Sequence, residues 1–494
     1  MLSAEVVEPG AFVAPARPNG KAEQLPLYGH LPAFCRVVLN ATPSPDSQIK
    51  VEVWLPVSGW NKRLQGIGNG GFAGEIDYRQ MALSLANGFA STGTDTGHSA
   101  DGIDARWALG HPQKVVDFGW RGIHQMTVQA KAVVAAFYGF PAQHNYFASC
   151  SDGGREALME AQRFPADYDG IVAGAPAYAW TDLMTAGAIA MKMMLAQPAN
   201  YLPPSKVPSI AHAVLAACDR TDGLRDGLVS DPRACHFEPA TLSCKTEGGE
   251  RCLTSAQTKT LASLYASHTV GGEVLPGLLP TGAEEDPNGW PNWVTGAAAG
   301  KSAGVGFASG FFGNMVYSDP HWDFRSFDPE TGLKDAREKT GAAVDATSTD
   351  LKAFHDRGGK LILYHGWADA GISPLYTIRY YEGVQEKLGK DEAASFTRLY
   401  MLPGVKHCFD GPGPDSIGQF GLMGPKSTAQ DNAFRAVEDW VEEGKAPDAI
   451  IAAKYAKPFD PSRTLMTRPA CPYPQQAHYT GKGSIREAAS FVCK

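Results

Sequence analysis

A serine attacks a carbonyl at a useful rate only when a histidine takes its proton and an acid orients that histidine. This chain offers such a set. Ser151 lies in Ser149-Cys150-Ser151-Asp152-Gly153-Gly154, Asp369 closes His365-Gly366-Trp367-Ala368-Asp369, and His407 directly precedes Cys408. Serine, then acid, then histidine is one of the known chain orders of such triads. Singly, each residue has a plainer reading: a turn serine, an aspartate after a strand, a loop histidine. The order, and the single strand–helix–strand step between acid and histidine, favour catalysis. Nucleophile and base each have a cysteine as neighbour, so one disulfide between Cys150 and Cys408 would draw them together.

The tetrahedral intermediate of acyl transfer needs two preorganised N–H donors for its oxyanion. The backbone of Asp152, next after the nucleophile, is one. Gly71, in Gly68-Asn69-Gly70-Gly71-Phe72-Ala73-Gly74, is the other. Such a loop could instead cradle a phosphate, but no Gly-Lys-Ser/Thr follows and no acidic residue completes a dinucleotide fingerprint.

These residues need a frame. Apolar alternation and short apolar runs predict strands at 35–39, 49–55, 63–67, 88–92, 145–148, 171–173, 360–365 and 397–402. Helical spacing marks 123–138, 156–164, 376–387 and 429–442. Strand, sharp turn with serine, small residues, helix is the nucleophile-elbow context; Ser149 stands where a glycine is usual and is also small. From 177 to 346 the alternation is lost, then it returns. This predicts an α/β doubly wound sheet, residues 1–176 and 347–494, interrupted by a large insertion at 177–346. The candidate acid and base follow strands, where open α/β sheets place their sites.

The chain has 494 residues, 44% of them hydrophobic, and a net charge of -8 with no block of Lys/Arg, which argues against nucleic acid as a partner. No apolar run reaches the roughly 18 residues of a membrane span; the most apolar helical stretch, 186–195, is broken by Lys192. Of nine cysteines, 218/235, 244/252 and 471/493 form close pairs without Cys-x-x-Cys spacing. They read as short disulfide loops in an oxidising compartment, secreted or periplasmic. Met1-Leu2-Ser3 leads into an acidic, Pro-rich segment rather than a signal peptide and reads as a mature or trimmed start.

Cys150-Ser151, Asp369 and His407-Cys408, with 68–74, 94–98, 123–139 and 365–369, resemble the tannase/feruloyl esterase family, which includes mono(2-hydroxyethyl) terephthalate hydrolases. The resemblance implies an α/β-hydrolase fold whose lid, 177–346, is inserted after the nucleophile. It implies disulfides Cys150–Cys408, Cys218–Cys235, Cys244–Cys252 and Cys471–Cys493, leaving Cys35 as a buried free thiol. It also implies a structural Ca²⁺ held by side chains of Asp219, Asp222 and Asp226 and backbone oxygens of Leu224 and Leu228; an oxygen-rich, Gly-containing loop suits that hard cation. No organic cofactor is expected. The expected activity is a serine esterase acting on small aromatic esters of hydroxycinnamic or phenolic acids. Phe307, Phe311, Phe312, Tyr317 and Trp322 would wall its pocket. A terephthalate carboxylate would favour an Arg, and 301–324 contains none. A gallate esterase, a hydrolase of the terephthalate type, a serine peptidase and a non-catalytic binding protein on the same scaffold are the alternatives.

Overall fold

Nine strands build one sheet in the computed structural model, which describes the chain except residues 19, 246–248, 250 and 420–426. They are β1 (Ser3–Val7), β2 (Phe34–Ala41), β3 (Ile49–Pro56), β4 (Arg63–Ile67), β5 (Ala90–Thr94), β6 (His144–Cys150), β7 (Gly170–Gly174), β8 (Lys360–Gly366) and β9 (Thr397–Leu402). Their order is β1-β2-β3-β5-β4-β6-β7-β8-β9. β1, β2, β3 and β5 pair antiparallel. From β5 to β9 every pairing is parallel.

The period-two alternation of strand side chains assigns residues to two faces. Phe147, Ile171, Leu361 and Leu363 join one core with helices Gly122–Tyr138, Asp152–Arg163 and Pro374–Leu388. Tyr146, Ala148, Val172, Ile362 and Tyr364 join a second core with helix Ala433–Glu443. That helix begins four residues later than its apolar spacing suggests, because the Asn432 side chain accepts from the Phe434 and Arg435 amides and caps it there. The chain is thus an α/β-hydrolase-type sheet covered on both faces.

Between β7 and β8 none of the described residues joins the large sheet. The inserted segment carries helices Trp180–Leu195, Val207–Cys218, Ser255–Tyr265 and Ala303–Gly310, and a small hairpin of His268–Val270 with Glu273–Leu275. Leu202, Val207, Ile210, Leu261, Leu264 and Trp290 give it a core of its own. Helix Trp180–Leu195 bridges the two: Trp180 and Leu183 pack into the sheet-side core, Met194 into the insert's core.

Four disulfides close the chain: Cys150–Cys408, Cys218–Cys235, Cys244–Cys252 and Cys471–Cys493. They fit an oxidising compartment. Cys35 is buried and unpaired, and burial raises its thiol pKa. Among the described residues no helix is long and apolar enough to cross a membrane.

Candidate active site

The turn that carries Ser151 is built from contacts that leave no room for larger side chains. Ser151 follows the last residue of β6 at φ 66, a backbone conformation that costs energy for a non-glycine residue. It is tied down on two sides: its amide donates to Gly174 O at 2.9 Å, and its carbonyl accepts from Ala177 N at 3.1 Å. Gly153 N donates to Asn69 O at 2.9 Å, so the elbow is stitched to the glycine-rich loop after β4. A Cβ on Gly153 would collide with Ser149 Oγ. Ser149 can replace the usual glycine because glycine at 153 leaves room for its hydroxyl.

The three candidate catalytic residues come together as one chain of hydrogen bonds. His407 Nε2 is 2.8 Å from Ser151 Oγ, and His407 Nδ1 is 2.8 Å from Asp369 Oδ2. Asp369 Oδ1 accepts from the Gly371 and Ile372 amides at 2.8 and 2.9 Å. Burial alone would raise the Asp369 pKa; the charge of His407 and hydrogen bonds from His365 and His407 outweigh it and hold the carboxyl well below the usual range. It therefore stays ionised throughout the physiological range.

His365 had entered the sequence reading only as the end of a predicted strand and the start of the loop to Asp369. It is fully buried, and its Nε2 lies 3.0 Å from Asp369 Oδ2 and 3.1 Å from Ile372 O. Ile372 O can only accept, so Nε2 bears the proton and Nδ1 faces Thr377 Oγ1 at 2.7 Å. A histidine four residues before a strand-end acid was the available signal.

Asp152 is the first residue of helix Asp152–Arg163, with Ser151 as its N-cap. Its amide is one of the first-turn N–H groups that have no intrahelical acceptor. Its carboxylate is pinned by Arg155 Nε at 2.7 Å, both side chains fully buried. Arg155 in turn donates to the carbonyls of Gly119 and Phe118. Gly71, at φ 62, lines the same pocket as Ser151 and His407, and a Cβ there would collide with Gly102 O. Its neighbour Phe72 donates from its amide to Gly102 O at 2.7 Å, and its carbonyl accepts from His98 Nε2 at 2.8 Å. Burial pushes His98 down to about 4, so it is a neutral donor bracing the loop, stacked on Trp107.

The aromatic wall differs from its sequence-based expectation. Phe307 lines the pocket, but Phe311, Phe312, Tyr317 and Trp322 do not. Phe311 and Phe312 are fully buried, and Phe312, Tyr317 and Trp322 stack on one another beside Phe327. The cause is local: past Gly310 the chain widens into a π-helical turn, Phe311–Val316, that faces the core. The pocket is instead walled by Trp180, Trp293 and Phe307. Trp293 stacks on Phe307 and meets the His407 ring edge-on at 4.8 Å. Helix Trp180–Leu195 supplies much of the rest. Its apolar stretch had served in the sequence only to exclude a membrane span.

In the 219–228 loop, Asp219 Oδ1 accepts from the Asp226 and Gly227 amides, and Asp222 from Leu224 N and Ser230 Oγ. Asp226 accepts from Leu228 N and pairs with Arg468 at 2.8 Å. Cys218–Cys235 closes the loop. The donor set is oxygen-only, which fits a hard cation, while Arg468 already satisfies one oxygen of Asp226.

A doubly covered sheet, a strained serine at a strand–helix turn, and an acid and histidine on the next loops define a carboxylic ester hydrolase of the α/β-hydrolase class. The chain belongs to the tannase and feruloyl esterase family, whose pattern matches residues 35–494. It is 38% identical to an uncharacterized esterase of Xanthomonas campestris pv. campestris, covering 99% of this chain and 88% of that one. It is 34% identical to the mono(2-hydroxyethyl) terephthalate hydrolase of Piscinibacter sakaiensis, over 99% of this chain and 89% of that one. The crystal structure of feruloyl esterase B from Aspergillus oryzae superposes with a TM-score of 0.89 at 30% identity, covering 100% of this chain and 96% of that one.

Proposed function

We propose that the protein hydrolyses esters of aromatic acids, hydroxycinnamates foremost, through an acyl-enzyme formed on Ser151. The supporting observation is the unbroken Ser151–His407–Asp369 chain opening into a pocket walled by Trp180, Trp293 and Phe307. His407 takes the Ser151 proton as Oγ bonds to the ester carbonyl carbon. Asp369 orients the imidazole and stabilises its charged form. The Asp152 and Gly71 amides hold the oxyanion. Collapse of the intermediate breaks the ester C–O bond, and His407 protonates the leaving alcohol. Water, deprotonated by His407, then releases the acid and restores Ser151. Among the described residues no Arg or Lys lines the pocket, which disfavours an acyl group bearing a free carboxylate. Among methyl ferulate, methyl gallate and mono(2-hydroxyethyl) terephthalate, methyl ferulate is expected to give the highest kcat/KM. A clear preference for either of the others would overturn the hydroxycinnamate assignment.

Ca²⁺ is assigned to the 219–228 loop through Asp219, Asp222 and Asp226 and the backbone oxygens of Leu224 and Leu228. Its role is structural, and secretion or export to a periplasm is the matching location. Stripping calcium with a chelator is expected to remove about 2.7 kcal/mol of stability relative to protein held at about a hundred times the calcium Kd. The loss would be read as a lower Tm that calcium restores and magnesium does not. An unchanged Tm would refute the assignment.

A further inference from the structure

The pocket does not end where a single aromatic ring would. Leu183, Met184, Gly187, Ala190, Met191 and Met194 all line it. These positions form one face of helix Trp180–Leu195, and from Trp180 beside the catalytic residues to Met194 the helix rises about 21 Å at 1.5 Å per residue. Gly187 and Ala190 leave space in the middle of this stripe, and the three methionines are unbranched side chains that adapt to what lies against them. Leu264 and Leu278 close the far end.

Among the described residues, no Asp, Glu, Lys or Arg lines this space. Its far-end polar side chains face the protein: Ser373 Oγ donates to Gly277 O at 2.8 Å, Ser263 Oγ lies 3.2 Å from Met193 Sδ, and His268 Nε2 lies 3.2 Å from Ser263 O. Lys192, on the same helix, reaches away to Phe327 O at 2.7 Å. A carboxylate carried into the slot would meet no Lys or Arg among the described residues, and desolvating it there would be costly.

We propose, resting on the serine-esterase reading above, that this space is an extended acyl slot, admitting esters whose acid is apolar, uncharged and as long as or longer than a hydroxycinnamoyl group. A hydroxycinnamate occupies its near end, against Trp293 and Phe307; a longer acid continues along the helix toward Met194.

The test uses p-nitrophenyl acetate, butyrate, hexanoate and octanoate, together with the mono-p-nitrophenyl ester of a dicarboxylic acid of the same length as octanoate. Each methylene buried adds about fourfold to kcat/KM, so the rate constant is expected to climb from butyrate to octanoate. The dicarboxylate ester is expected to lose that gain. Ala190→Phe and, independently, Gly187→Leu are expected to lower the octanoate-to-acetate ratio of kcat/KM at least tenfold. A kcat/KM that falls beyond butyrate while acetate is hydrolysed would overturn the slot and leave the esterase reading standing. So would a ratio that neither substitution moves in a folded variant. Failure to hydrolyse every ester would overturn the esterase reading itself.

Discussion

In Ser151→Ala, kcat toward methyl ferulate is expected to fall about 10⁶-fold, the loss seen when a triad nucleophile is removed. The hydroxyl has a specific partner to lose, His407 Nε2 at 2.8 Å. The remaining apparatus, an amide at a helix N-terminus and a glycine-rich loop, cannot supply a nucleophile. The Tm is expected to hold, because alanine removes a single oxygen atom and the strained φ of 66 is retained. Burst kinetics and labelling by a fluorophosphonate should vanish together with turnover. A fall of less than about 10³-fold would point to a different nucleophile, and the loop serine would then be only a turn residue.

The second large effect concerns the disulfide beside the site. Cys150 ends β6 and is bonded to the residue following His407, closing a loop of 258 residues. In the chain-entropy account a loop of that size contributes about 5 kcal/mol. The double variant Cys150→Ala/Cys408→Ala is therefore expected to melt far below the parent. It should also be slower at a temperature where it remains folded. The bridge holds Ser151 and His407 through their immediate neighbours, and a misplacement of about 1 Å at a reacting pair costs about 10²-fold. His407 keeps other supports, Asp369 and the edge of Trp293, so its turnover should fall and not vanish. Unchanged kcat in the folded variant would make the bridge a brace of the fold alone.

What could be read from the residues follows from where the information is local. β4 and β9 match their predicted runs to the residue, and β6, β7 and β8 extend theirs by a few positions, because buried parallel strands are short, apolar and bounded by turns. The candidate triad, whose side chains the fold brings together, was legible because chain order and neighbouring cysteines add information that no single position holds. β1 was not: nearly all its residues are exposed, so no alternation marks it. The antiparallel hairpin of Ile450–Lys457 with Asp460–Ala470 was missed for the same reason, its outer half lying in solvent. The pocket wall was misassigned because aromatic content does not report direction. Phe307 and Phe311 are one helical turn apart, yet the π-helical widening sends only the first toward the substrate space. The pocket-lining face of helix Trp180–Leu195 was visible as an apolar stripe, but a stripe does not say whether it meets protein or an open space.

The long reach of Cys150–Cys408 also sets a timetable. At about 5–20 residues per second, the sequence separation of 258 residues from Cys150 to Cys408 takes about 13–50 s to synthesise. During that interval Cys150 emerges without its partner, and Cys218, Cys235, Cys244 and Cys252 all arrive before Cys408 does. Three of the four bridges link cysteines that are adjacent in the cysteine order; this one must skip over four competitors. Specific activity in a freshly made preparation should therefore track thiol sorting, and a host lacking a disulfide isomerase is expected to yield full-length, mispaired enzyme of reduced activity.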